Sequence, residues 1–298
     1  MAEFPLQRTV SANGLDLCIF EWAGTNRGDP PLLFAHATGF HARVWDQVIA
    51  HLPDRPVYAV DMRGHGRSSK PTAPEAYRWS LAGEDLAALA IALGLSGIVG
   101  IGHSWGGFAM AYAAAQTAAS HPGLFSRLIL LDPVILPEPA YELGVLPMEH
   151  FASKRRAQWN SPQEMIDRFK DRAPFQTWTA EALRDYCEYG LLPERDEGGH
   201  LTLACPPSIE SSIYPRATET NIYPELGKID IPVLIVRLSE RMAFAPTDFQ
   251  GSPTNPELVR WFKQGRDMQL KGLTHFAPME DPAGIAGIIH DFISNKGQ

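Results

Sequence analysis

Through its first 132 residues the chain alternates short, almost unbroken apolar runs with longer helical patterns, and few architectures accept that rhythm. Strand-like runs fall at 15–22, 31–35, 57–61, 98–102 and 128–132, and helical patterns at 42–52, 80–93 and 105–119. Runs that are apolar at consecutive positions are buried on both faces, as in a parallel sheet covered by helices on either side. Ligands of such sheets gather beyond the carboxyl ends of the strands. That rule directs attention to a few short segments.

The rhythm fails after Asp132. From Pro133 to about Tyr223 the chain is rich in Pro, Trp, Tyr and charge, with helical patches near 153–159, 162–170 and 179–190. Strand signals return at 231–236 and 268–273, and a last helix fits 282–293. The expected organisation is an α/β core made of residues 1–133 and 224–298, with a helical cap, 134–223, inserted between two strands of one sheet. With 298 residues, one core can bury most of the apolar surface without disulfide or structural metal.

Composition narrows the partners. A formal charge of −8 argues against nucleic acid or an anionic membrane, since both reward a basic face. Cys18, Cys187 and Cys205 are odd in number and far apart, which suits neither a disulfide framework nor a zinc site. The N-terminal MAEFPLQRTV has no basic region followed by an apolar run, and no apolar stretch approaches the ~20 residues needed to span a bilayer. The expectation is a soluble cytoplasmic protein that takes a small-molecule substrate; the oligomeric state is not legible.

The strongest chemical signal is Gly102-His103-Ser104-Trp105-Gly106-Gly107, which follows an apolar strand and opens an Ala-rich helix. A serine at a strand-to-helix corner sits in a strained turn, and flanking glycines let the backbone pass that tightly. The turn pushes the hydroxyl into the cleft, so Ser104 is the expected nucleophile. A serine needs a base, and His275, between the last strand signal and the last helix, falls on the same rim. The oxyanion of an acyl-transfer intermediate needs preorganised donors. The Trp105 backbone N–H supplies one, and the Thr38 N–H, in the loop His36-Ala37-Thr38-Gly39-Phe40, the other. His36 reads as a structural residue holding that loop. No His/Asp/Glu cluster has zinc spacing, and the glycine-rich turn lacks the Lys of a phosphate loop, so neither metal nor cofactor is expected.

Taken together, these motifs resemble the α/β-hydrolase family. Residues 36–40 look like its oxyanion loop, with Ala at the usual second glycine. Asp61-Met62-Arg63-Gly64-His65-Gly66-Arg67-Ser68 resembles its D-x-R-G-x-G-x-S signature, 102–106 its nucleophile elbow, and Asp281-Pro282 is also familiar. The resemblance covers 15–132 and 225–295. It implies a doubly wound, mostly parallel eight-stranded sheet with a helical cap after the sixth strand. One part of the pattern is missing. The triad acid usually follows the seventh strand, where this chain reads Ile235-Val236-Arg237-Leu238-Ser239-Glu240-Arg241-Met242. Asp132, at the end of the sixth strand, is the favoured substitute and Glu240 the rival, with Asp248 or no acid remaining. Asp61 and Arg63 read as loop-anchoring groups, and Asp85 as a surface or loop-anchoring carboxylate.

Phe40, His41 and Trp105, with Trp159, Trp178 and Tyr214 from the cap, are expected to line an aromatic pocket suited to an acyl or alkyl group. The expected function is a serine hydrolase cleaving a carboxylic ester or lactone of a small, largely apolar substrate. A C–C bond hydrolase or an amidase would use the same residues, and a catalytically inactive ligand-binding member of the fold is the alternative of another class.

Overall fold

The computed structural model describes residues 4–24, 28–146, 150–193, 199–239 and 251–294. The first part of the chain forms β1 (Leu6–Ala12), β2 (Leu15–Trp22), β3 (Leu32–Ala35), α1 (Asp46–Ala50), β4 (Val57–Val60), α2 (Trp79–Ala92), β5 (Ile98–His103), α3 (Trp105–Thr117) and β6 (Phe125–Leu131). After an intervening segment come β7 (Gln158–Trp159), α4 (Pro162–Phe169), α5 (Ala180–Tyr189), β8 (Leu191–Pro193), β9 (Leu201–Leu203), α6 (Pro207–Ile213) and α7 (Tyr223–Leu226). The chain then returns through β10 (Val233–Arg237), β11 (Gly265–Gln269), α8 (Ala277–Glu280) and α9 (Pro282–Ser294).

Eight strands form one sheet in the order β1-β2-β4-β3-β5-β6-β10-β11. The β1–β2 and β2–β4 pairings are antiparallel and the rest parallel. The chain is thus an α/β-hydrolase fold, as the motifs imply. Alternate residues of β3 show why both faces must be covered: Leu33 and Ala35 join one buried cluster, Leu32 and Phe34 the other. The period-2 pattern of a strand becomes invisible when both of its faces are apolar.

Several elements depart from expectation. β1 went unmarked because its residues are mostly exposed; Asn13 (φ 49°) and Gly14 (φ 73°) turn it into β2, as a two-residue hairpin requires. The last strand lies at Gly265–Gln269 rather than 268–273, leaving a loop before residue 275. Instead of the helix expected near 153–159 there is a 3-10 turn at Phe151–Lys154 and then β7. β7, β9 and β8 pair antiparallel in a small second sheet that no apolar run announced. With two or three residues per strand, such a sheet leaves no periodicity to read.

Candidate active site

Among the described residues, two of the three non-glycine residues with positive φ stand at the carboxyl ends of neighbouring strands. Ser104 follows β5 at φ 58°, ψ −118°, and Asp132 follows β6 at φ 44°. Such conformations cost about 1–3 kcal/mol each and persist only where the surroundings hold them. The Ser104 N–H donates to the Leu131 carbonyl at 3.0 Å, and its own carbonyl accepts from Gly107, Phe108 and Val134. The flanking glycines are sterically required. A Cβ at Gly102 would come within 2.3 Å of the Gly106 carbonyl oxygen, and one at Gly106 within 2.4 Å of the Ala35 oxygen.

His275 reaches the same rim from the loop between β11 and α8. Its Nε2 lies 2.9 Å from Ser104 Oγ and its Nδ1 2.6 Å from Asp132 Oδ2. An imidazole so placed can take the hydroxyl proton while the carboxylate fixes the ring and balances its charge. Asp132 is fully buried, and its other oxygen accepts from the Leu238 N–H at 3.2 Å, from Thr254 Oγ1 at 3.3 Å and from Ser252 Oγ. The rival carboxylates, Glu240 and Asp248, lie outside the described residues.

The loop around His275 is anchored at two points. Glu280 accepts from the Thr274 N–H at 2.7 Å and from the Thr274 hydroxyl at 2.6 Å. The His103 ring, buried beside His275, donates from Nε2 to the His275 carbonyl at 2.7 Å. Burial pushes His103 well below the ordinary histidine range, with the neighbouring His275 adding to the effect. The contribution of His103 could not be read from its place in the elbow motif, because its partner is 172 positions away.

Two further histidines fix the loop at residues 36–40. His36 Nε2 accepts the Met62 N–H at 3.0 Å, and His65 Nε2 accepts the Gly39 N–H at 2.9 Å. An accepting ring nitrogen must be unprotonated, and burial enforces this by lowering His36 to about 4 and His65 well below its usual value. Among the described residues, neither the Thr38 nor the Trp105 backbone N–H has a partner. The D-x-R-G-x-G-x-S segment braces the loop from behind. Asp61 accepts from the Ala42 and Arg67 N–H groups at 2.7 and 2.8 Å, and Arg63 pairs with Asp85 through two 2.6 Å hydrogen bonds.

A cavity of about 630 Å3 opens over Ser104 and His275, within the range of small-molecule sites. Phe40, Trp159, Trp178 and Tyr214 line it, together with Thr38. His41 does not: it is buried behind the wall, stacked on Tyr186, with Nε2 donating to the Tyr186 carbonyl at 3.1 Å. Burial lowers it to about 3. The Trp105 side chain is also no wall residue; its fully buried indole packs between His65 and Trp79. Helix geometry turns that ring into the core while its backbone stays at the elbow. The aromatic lining is joined by Lys154, Arg155, Arg156, Arg168 and Arg172, against one carboxylate, Glu210, among the described residues. Arg155 is held by Glu210 and by the Tyr186 hydroxyl, the latter at 2.7 Å. Among the described residues, no group of three or more His, Cys, Asp or Glu is placed to hold a metal ion, and no helix is long and apolar enough to cross a membrane.

An eight-stranded sheet with a serine, a histidine and a carboxylate at its carboxyl rim defines a hydrolase-type architecture. The chain belongs to the alpha/beta hydrolase family, whose model matches residues 32–288. It is 27% identical over 266 residues to the 2-(acetamidomethylene)succinate hydrolase of Mesorhizobium japonicum, covering 83% of this chain and 87% of that enzyme. A shorter match, 36% identical over 111 residues, takes in 36% of this chain but only 39% of Lipase LipV of Mycobacterium tuberculosis. Among solved structures, that of E-2-(acetamidomethylene)succinate hydrolase superposes with a TM-score of 0.77 at 22% identity, covering 97% of this chain and 99% of that one.

Proposed function

We propose that the protein is a serine hydrolase that cleaves a carboxylic ester or lactone through an acyl-enzyme. The observation that carries this reading is the continuous hydrogen-bonded path from Ser104 through His275 to Asp132 at the floor of a cavity. Ser104 Oγ attacks the substrate carbonyl carbon as its proton passes to His275 Nε2. The Thr38 and Trp105 N–H groups receive the oxyanion. Collapse of the tetrahedral intermediate expels the leaving group, which takes the proton from His275. Water, deprotonated by the same ring, then attacks the acyl carbon and frees Ser104. Asp132 orients the ring and balances the imidazolium without itself taking the proton.

In this reading residues 134–223 serve as a cap, since they supply most of the cavity wall opposite the sheet. A second reading, amide cleavage by the same residues, is favoured by the similarity to 2-(acetamidomethylene)succinate hydrolase, whose name carries an acetamido group. Two measurements test the proposal. A fluorophosphonate probe labels Ser104 in the wild type but not in Ser104→Ala. A chain-length series of p-nitrophenyl esters, run beside lactones and anilides, shows which bond is cut. An unlabelled Ser104 with no turnover of any of them points instead to an inactive binding protein.

A further inference from the structure

The net charge of the chain and that of its cavity have opposite signs. The protein carries −8 overall, yet among the described residues five cationic side chains and one carboxylate line the space above Ser104. Two of the five are already occupied. Arg155 is bound to Glu210 and Tyr186, and Arg156 sits 2.6 Å from Glu164. Arg168 and Arg172 have no anionic partner among the described residues, although many other arginines do: Arg43 with Asp46, Arg63 with Asp85, Arg216 with Glu219, Arg237 with Asp267.

Their placement adds to the anomaly. Arg168 lies in the last turn of α4 and Arg172 four residues on, in a turn closed by the hydrogen bond from the Arg172 N–H to the Phe169 carbonyl at 2.9 Å. Like charges at this spacing on a continuing helical turn repel by a few tenths of a kcal/mol. A helix C-terminus favours one cation in its last turn, which accounts for Arg168 but not for a second guanidinium on the same cavity. Depth is ordered as well. Phe40, Trp159, Trp178 and Ser104 are buried, whereas Lys154, Arg168 and Arg172 are exposed and so occupy the outer part of the lining. An aromatic inner wall with free guanidinium groups further out matches a molecule with an uncharged reacting end and an anionic far end. Planar guanidinium groups bind carboxylates through paired hydrogen bonds.

We infer that the substrate carries a free carboxylate remote from the scissile carbonyl, held by Arg168 and Arg172 with Lys154 adding to the field. This rests on the hydrolase reading above and refines its substrate: the expected largely apolar molecule becomes one that is apolar near the carbonyl and anionic at its far end.

The test compares three p-nitrophenyl esters of equal chain length: the adipate monoester (anionic), the heptanoate (neutral) and the 6-aminohexanoate (cationic). The expected order of kcat/KM is anionic, neutral, cationic, with the anionic ester ahead of the neutral one by about 10- to 100-fold. In Arg168→Gln/Arg172→Gln that lead collapses to within about threefold, while turnover of the neutral ester stays within about twofold of wild type. Raising salt from 0.05 to 0.5 M narrows the lead in the wild type, as screening requires. Equal rates on all three esters, or a double variant that loses activity on all alike, overturns the inference. Calorimetry with adipate and with butyl phosphate supplies a readout independent of turnover. Adipate binding that is lost in the double variant supports the carboxylate site. Binding of butyl phosphate alone, or of neither, overturns it. Ser104 labelling with hydrolysis of the neutral ester but no anionic preference sinks this inference and spares the hydrolase. Adipate binding without Ser104 labelling does the reverse.

Discussion

Ser104 and Asp132 stand at the carboxyl ends of β5 and β6 and His275 in the loop after β11, held by hydrogen bonds from backbone and side chains alike. Across the cavity, Trp159, Phe175, Trp178 and Tyr186 come from the inserted segment and are packed against other rings, Phe40 and Phe276 of the core among them. Phe169 and Phe175 stack with ring centres 4.5 Å apart, and Trp178 meets Phe175 at 4.9 Å and Tyr186 at 5.5 Å. Hydrogen bonds are directional and fix atoms to tenths of an ångström, as proton transfer demands. Aromatic packing tolerates change of shape at lower cost. In the function proposed above this contrast becomes a division of labour: the rim carries out one reaction, and the insertion chooses what reaches it. Arg155 with Glu210 adds a nearly buried ion pair inside the insertion.

Four measurements can break or sharpen that contrast. The largest effect is expected at the rim. Asp132→Asn keeps the shape but cannot hold the imidazole in the same way, and kcat should fall roughly 10^4-fold with KM little changed. Steady-state kinetics on one p-nitrophenyl ester decides this; a loss below tenfold would hand the acid role to another carboxylate. Next comes the insertion's own polar anchor. Arg155→Met strands the Glu210 carboxylate, and urea unfolding should show a loss of about 3–5 kcal/mol, largely recovered in Arg155→Met/Glu210→Met. Failure of the double variant to recover would mean that Arg155 matters through more than its charge.

The third concerns pH. His36, lowered to about 4 by burial, and His65 and His103, lowered well below the ordinary range, bind protons more readily in the unfolded chain. Their contribution to stability is complete above ~6.5 and is lost as pH falls toward the folded values, at up to ~1.4 kcal/mol per pH unit for each ring. The urea midpoint should therefore drop steeply between pH 6.5 and 4.5, and His36→Asn should make that drop shallower. A midpoint unchanged over this range would show that the rings are not held neutral. Smallest is a reshaping of the insertion wall: Phe175→Leu should raise KM roughly threefold to tenfold and leave kcat within about twofold. An equal fall in kcat would show that the insertion helps align the reacting atoms.

Much of the sheet was legible because its signals are local. β5 and α3 follow from an apolar run and an Ala-rich run, and the elbow between them from glycines at 102 and 106 whose missing side chains are a steric necessity. Asp132 stood out as a carboxylate at a strand end, and His275 as a histidine before the last helix. The insertion was less legible. Trp159, Trp178 and Tyr214 were recognisable as aromatics, but Arg168 and Arg172 look like any exposed pair in an amphipathic helix. His41 is indistinguishable in sequence from a wall residue, yet its ring turns away to the Tyr186 carbonyl.

What the amino-acid order determined by itself is the succession of strands and helices and the strained corner at Ser104, because propensity, periodicity and glycine sterics act over a few residues. Which side chains meet was decided only by the tertiary structure. The 2.6 and 2.9 Å contacts of His275 join residues 143 and 171 positions away, and the cationic lining gathers groups from a 3-10 turn, a strand approach and a helix end. Such meetings depend on how whole elements pack, and local sequence carries no term for that.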